Sequence, residues 1–173
     1  MADAPALTEH QRAFRAAMAN LSAAVNVVTT DGPHGRAGMT VSAACSVTDT
    51  PPTMLVCVNR ASRSHGVVVE NGRICINVLG TDQEELAMHF AGATNVPTPE
   101  RFGAGIWDFE TYGVPVLRDA VSSVIGRIVA RQTLGSHTVA FVEIDAVASR
   151  ENRGALVYFQ RRFHNLTAHS LSA

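Results

Sequence analysis

The sequence predicts a mainly β fold: a closed β-barrel with a few peripheral helices. Two observations carry this. Short apolar or β-branched runs recur along the whole chain, and helix-period patterns are few and brief. The 173 residues amount to one domain, with the ordered core expected over about 7–166.

The first element is predicted as a helix. Thr8 and Gln11 have capping-box spacing, and Leu7, Gln11, Phe14, Met18 and Leu21 recur at helical period, a stripe expected to pack. A strand follows over Ala23–Thr30, then a turn at Asp31-Gly32-Pro33-His34-Gly35. A second strand is expected over Ala37–Val47, ended by Pro51-Pro52, because proline lacks the N–H that a ladder needs. Thr53–Val58 reads as a buried strand and Ala61–Glu70 as a short helix stopped by Asn71-Gly72. Ile74–Leu79 is another buried strand, and Thr81 with Glu84 repeats the capping-box pattern before a helix to about Phe90. Ala91–Thr111, rich in Gly, Pro and Thr, is a long loop with at most a turn of helix, of the kind that is functional or covers an interface. Strands are then predicted over Val121–Ala130, His137–Val147 and Ala155–Phe159, with a loose tail after Leu166.

Composition narrows the function classes. Lys and Arg total 14 against 15 Asp and Glu, which excludes the positive field of a general nucleic-acid or anionic-membrane binder. Cys45, Cys57 and Cys75 are odd in number and lack CxxC spacing, so they read as buried small hydrophobes in a reducing compartment. The seven histidines show no metal-ligand spacing, and no metal is predicted. No apolar stretch approaches the roughly 20 residues of a bilayer span, and residues 1–7 lack the pattern of a signal peptide. The expected location is the cytoplasm. Neither G-x-G-x-x-G nor G-x-x-x-x-G-K-[ST] occurs, and Gly103-Ala104-Gly105 lacks a third glycine, so a dinucleotide would not be held in the Rossmann manner.

Four segments are candidates for chemistry. In GRAGMTVSAACSVTDTPP (35–52), small residues let a flat ligand approach the backbone, and Thr40, Ser42, Ser46 and Thr48 alternate along one face; a solvent-facing polar strand is the alternative. Asn59-Arg60-Ala61-Ser62-Arg63-Ser64-His65 can cradle a phosphate at the start of a helix, or simply cap it. Gly135-Ser136-His137 places a histidine at a strand mouth, able to donate to a ligand amide or serve structure alone. In Tyr158-Phe159-Gln160-Arg161-Arg162-Phe163-His164 the aromatics should pack, while Arg161 and Arg162 can meet a phosphate or remain surface charge.

The strings FRAAMANLSAAVNVVTTDGPHGRAGMTVSAACSVTDTPPTMLVCVNR, RICINVL, HFAG, ERF, LGSHTVAFVEI and YFQRRFH, in that order and across nearly the whole chain, resemble the short-chain NAD(P)H:flavin reductase family. YFQRRFH and HFAG are similar to the reductases that serve 4-hydroxyphenylacetate hydroxylation, and TTDGPHGRAG to those of pyrimidine (uracil) degradation. The resemblance implies a split β-barrel that binds FMN or FAD, forms a homodimer, and reduces free flavin with NADH or NADPH for a separate monooxygenase. It implies ring contacts from Gly38, Met39, Thr40, Val41, Ser42, Ser46 and Val47, with Phe90 of HFAG nearby. Asn59, Ser62, Arg63 and Ser64 would hold the flavin phosphate, and Gly135, Ser136, His137 and Arg161 the nicotinamide nucleotide. No residue would act as catalytic acid or base. Many relatives carry Ser-Phe-Thr at Ala43-Ala44-Cys45 and aspartate at Ser136, so roles that rest on those side chains do not carry over. A flavin carrier or redox sensor without turnover is the rival reading, and an oxidase of another small substrate on the same barrel is a second.

Overall fold

A computed structural model describes residues 6–103, 105–151 and 153–168. Residues 1–5, Ala104 and the part of the expected tail from 169 onward therefore lie outside the described residues. In chain order the elements are α1 (Glu9–Met18), β1 (Ala23–Ala24), β2 (Asn26–Thr30), β3 (Ala37–Val41), β4 (Ala44–Asp49), β5 (Pro52–Asn59), α2 (His65–Asn71), β6 (Arg73–Val78), α3 (Glu84–Ala91), α4 (Thr98–Arg101), β7 (Trp107–Asp108), β8 (Val116–Leu117), β9 (Ser122–Leu134), β10 (His137–Ser149), β11 (Ala155–Phe159) and β12 (Arg162–Leu166).

Seven strands form one antiparallel sheet in the order β3-β2-β6-β9-β10-β5-β4. The consecutive strands β3 and β4 thus occupy its opposite edges. The chain crosses between those edges at Ser42-Ala43, where the Cys57 amide donates to the Ala43 carbonyl at 2.9 Å. This is a split β-barrel: the sheet closes on itself through a corner and not through a ladder. The single strand expected over Ala37–Val47 is accordingly two strands. A continuous strand could not leave one edge and pair at the other, so two residues are spent on the turn.

Val28, Met39, Val56, Ile74, Ile76 and Val142 fill the barrel. A second core lies outside it, where Val25, Leu79 and Leu156 meet the ring trio Phe90, Phe102 and Trp107. Between them Asn77 is buried and fully engaged: its amide donates to the Val27 carbonyl at 3.0 Å and to Thr29 Oγ1 at 3.1 Å, and its oxygen accepts from the Leu117 amide and the Ser123 hydroxyl. Satisfied in this way, a buried amide fixes β2, β6, β8 and β9 in one arrangement.

Other expectations need correction. The capping box at Thr8 and Gln11 forms, but α1 buries no residue, and Phe14, Met18 and Leu21 are exposed. The box expected at Thr81 and Glu84 does not form. Gln83 is the N-cap, and its side chain instead accepts from the Gly80 amide and donates to the Asp119 carbonyl. α2 begins at His65 and not at Ala61, because residues 59–64 are taken up in tight turns. Cys75 is buried as expected, but Cys57 is half-buried and Cys45 exposed. The last strands are longer than expected: β9 and β10 each run 13 residues, in a hairpin that turns on Gly135-Ser136 with Gly135 at φ +55°. No helix among the described residues is long and apolar enough to cross a membrane.

Candidate functional site

Among the described residues β3 pairs only with β2, so one of its edges is free of ladder partners there. The Gly38 carbonyl points to that edge, where it accepts the Ser64 hydroxyl at 2.7 Å. Peptide orientation repeats every second residue along a strand, so the N–H and C=O of Thr40 face the same way. A cavity of about 610 Å³ opens along this edge, within the size range of nucleotide sites.

One wall is Gly38, Met39 and Thr40. The second is the turn region after β5. There the Asn59 carboxamide accepts from the Ala61 amide at 3.0 Å, and the Ser62 hydroxyl accepts from the Ser64 amide at 3.3 Å. Ser62 therefore keeps its own hydroxyl proton for a further acceptor. Phe90 and the loop from Thr94 to Thr98 form the third wall. That loop is held by hydrogen bonds between His89 Nδ1 and Thr94 Oγ1 (2.8 Å) and from Arg101 Nε to the Val96 carbonyl (2.8 Å). The Thr40 hydroxyl is turned away, donating to the Ala87 carbonyl at 2.6 Å, so Thr40 presents backbone and not side chain.

The charged residues lining the cavity are Arg63 and Arg101, with no carboxylate among the described lining residues. Such a cleft favours a phosphate and offers peptide donors and acceptors to a flat heteroaromatic edge. It holds no nucleophile–base pair. Among the described residues, no group of three or more His, Cys, Asp or Glu is arranged to hold a metal.

Of the residues proposed for flavin, Gly38, Met39, Thr40, Asn59, Ser62, Arg63, Ser64 and Phe90 line this one cavity. Val41 is buried in the barrel core, Ser42 is at the exposed corner, and Ser46 and Val47 are exposed on β4. The nicotinamide set divides. Gly135 and Ser136 form the β9–β10 turn, whose carbonyls accept from Arg60 Nη1 (3.3 Å) and the Arg60 amide (2.9 Å). His137 pairs with Asn59 across β5, at the rim of the cavity. Arg161 lies elsewhere, at the β11–β12 turn facing α1. The sequence leaves the 91–111 loop open between function and interface cover and singles out none of Thr94, Asn95, Val96, Thr98 or Arg101; the ERF string, which contains Arg101, is the available signal.

The family model described as flavin reductase like domain matches residues 18–167. The chain is 49% identical over 160 residues to the 4-hydroxyphenylacetate 3-monooxygenase reductase component of Pseudomonas aeruginosa, covering 92% of this chain and 94% of that protein. It is 49% identical over 154 residues to the protein named FMN reductase (NADH) RutF 1 of Methylorubrum extorquens, covering 89% and 76%. Among solved structures it is similar to BorF, the flavin reductase component of a bacterial two-component tryptophan halogenase. That match has a TM-score of 0.84 at 27% identity, over 91% of this chain and 99% of that one.

Proposed function

This chain belongs to the flavin reductase like domain family, and on that premise we propose that it reduces free FMN or FAD with NADH or NADPH and releases the product to a separate monooxygenase. The observation that carries the reading is the cavity beside β3, with a free strand edge on one wall, two arginines and no carboxylate. A flavin fits this donor set. Ser62, Arg63 and Arg101 would hold its phosphate, and the outward peptide groups of Gly38 and Thr40 would flank the hydrogen-bonding edge of its ring, with Val41, Ser42, Ser46 and Val47 past the end of the cavity. Gly135, Ser136 and His137 would receive the nicotinamide nucleotide at the rim.

The reaction is hydride transfer from nicotinamide C4 to flavin N5, chemistry that belongs to the two bound molecules. The chain contributes alignment and exclusion of water. Holding two reactants in register removes much of the entropic part of a bimolecular barrier, which is why the cavity can do without an acid or base.

The partner oxygenase is proposed to act on 4-hydroxyphenylacetate or a related phenol. The YFQRRFH and HFAG strings support this reading. A cytoplasmic homodimer of one domain per chain is part of the same proposal, supported by the uncovered Phe14, Met18 and Leu21. Light scattering should give twice the 18.4 kDa chain mass. The deciding assay is NADH oxidation by flavin-stripped protein: none without flavin, and saturable turnover with added FMN or FAD. Equal oxidation without flavin overturns the reading, and flavin binding without NADH oxidation leaves the carrier.

A further inference from the structure

His89 stands between two hollows. One is the proposed flavin cavity, which its hydrogen-bond partner Thr94 lines. The other, of about 370 Å³, is lined by Asp82, Glu85 and Asp119 together with His89 itself. The ring is half-buried, and each nitrogen has a neighbour. Nδ1 lies 2.8 Å from Thr94 Oγ1, and Nε2 lies 3.7 Å from Glu85 Oε1, one helical turn earlier on α3. Thr94 is half-buried too, and among the described residues its hydroxyl has no second hydrogen-bond partner.

The two ends of the ring dictate which way the Thr94 bond runs. A neutral imidazole carries one proton, and a carboxylate beside Nε2 draws it to that nitrogen. Nδ1 must then accept, and the hydrogen between it and Oγ1 is the threonine's own. In that state Thr94 turns only oxygen lone pairs to the cavity. A protonated ring carries hydrogen on both nitrogens. Nδ1–H then donates to Oγ1, and the threonine proton is free to swing into the cavity. No heavy atom moves, yet the wall at Thr94 changes from acceptor to donor. The phosphate and the ring carbonyls of a flavin are acceptors, so the second state suits them and the first repels them.

We propose that His89 is a positioning residue for the flavin: its protonation reverses the bond to Thr94 and makes the Thr94 hydroxyl a donor to the bound flavin. This rests on the flavin reductase reading and adds control by pH to the same site. The charged groups around the ring are few. Glu85 comes from α3 itself, and Asp82 and Asp119 share the hollow, with Arg153 at 2.7 Å from Asp82 and 4.0 Å from Asp119. α4 brings Arg101, on the flavin side, and the exposed Glu100. β2 and β3, which pack against α3, carry no charged residue. Of these side-chain types, histidine is the one that ordinarily changes charge between about pH 5 and 8. The sign follows: the donor is present while the ring is protonated and is lost as pH rises, so flavin affinity falls with rising pH.

The test is FMN affinity by fluorescence titration across that range, taken as the ratio of wild type to variant so that ionisation of the FMN phosphate itself cancels. The ratio to Thr94→Val should rise about tenfold from about pH 8 to about pH 6, the worth of one hydrogen bond to a ligand. The ratio to His89→Gln should change by the same factor, because glutamine cannot take up the proton. Thr94→Ser, which keeps the hydroxyl, should restore the wild-type profile. In Thr94→Val, NMR of the histidine rings should still show His89 gaining its proton while FMN affinity no longer responds, a separation that a merely structural role would not produce. A ratio to Thr94→Val that is constant with pH overturns the proposal. So does a His89 ring in the wild type whose charge does not change across the range. Failure of wild-type protein to bind FMN at any pH is a separate result, and it strikes the flavin reductase reading itself.

Discussion

The Ser64 hydroxyl donates to the Gly38 carbonyl over 2.7 Å, and this bond ties the turn after β5 to the edge of β3. It sets the width of the proposed flavin cleft between two segments 26 residues apart in the chain. Gly38 also meets the third wall. A Cβ there would stand 2.6 Å from Phe90 Cε1 and 3.2 Å from the Val28 carbonyl oxygen. Gly38→Ala must therefore push the ring or the strand, and overpacking of this kind costs about 1–3 kcal/mol. The expected result is a lowered Tm with FMN affinity reduced about tenfold or more. Wild-type affinity and Tm would show that Phe90 yields freely and does not set the cleft.

His137→Ala separates the two nucleotides. His137 is half-buried at the hairpin end, with Nδ1 2.9 Å from the Ser136 hydroxyl. Losing one ligand contact should cost roughly 1–2 kcal/mol, about a 5- to 30-fold rise in KM for NADH. FMN affinity should stay close to wild type. An equal loss of both affinities, or unfolding, would make His137 a structural residue.

Acid stability should report on Asp145. Two hydrogen bonds from Arg73, at 2.7 and 3.2 Å, hold its carboxyl below the usual aspartate range, with Arg127 adding to the effect. A pKa lowered by folding contributes stability that is complete above the unfolded value and disappears as pH falls through the folded one. Asp145→Asn should therefore lower the Tm at neutral pH, and the gap from wild type should close below about pH 4. A gap that stays constant from neutral to acid pH would show that the pair acts through shape and not charge.

The three thiols should react in order of burial. Cys75 is fully buried, and burial pushes its pKa up to about 12. The Cys57 thiol is raised by partial burial and by its neighbour Cys45, which is itself exposed. A disulfide reagent at pH 8 should modify Cys45 first, Cys57 more slowly, and Cys75 only on unfolding. Fast loss of all three thiols from the native protein counts against the packing around Asn77 and Ser123.

Legibility of the sequence followed the range of the interactions. Thr8 and Gln11 cap α1 through neighbours three residues apart, and that box was readable. Thr81 and Glu84 have the same spacing, but Gln83 found Asp119, 36 residues away, and no local pattern could reveal it. The corner at Ser42-Ala43 was hidden for the same reason, since only the order of seven strands requires it. In the proposed site, small residues and hydroxyls marked Gly38–Thr40 and Asn59–Ser64 because their chemistry is local. Arg101 is turned back on the Val96 carbonyl, and the ring packing that places its loop, Phe90 against Phe102 and Trp107, is tertiary. The split between Arg161 and His137 is likewise a property of the folded chain alone.

The split seam leaves both β3 and β4 with an outer edge that no other strand of the described residues covers. Bare edges of this kind are where one chain recruits another into an aggregate. A flavin lying along β3 would occupy those same peptide groups and so act as a removable substitute for the missing strand. An enzyme that gives up its flavin at every turnover is then most vulnerable just after release. Millimolar FMN should accordingly slow heat-induced turbidity more than its effect on Tm alone accounts for, and the yield of folded protein in a cell should follow the flavin supply.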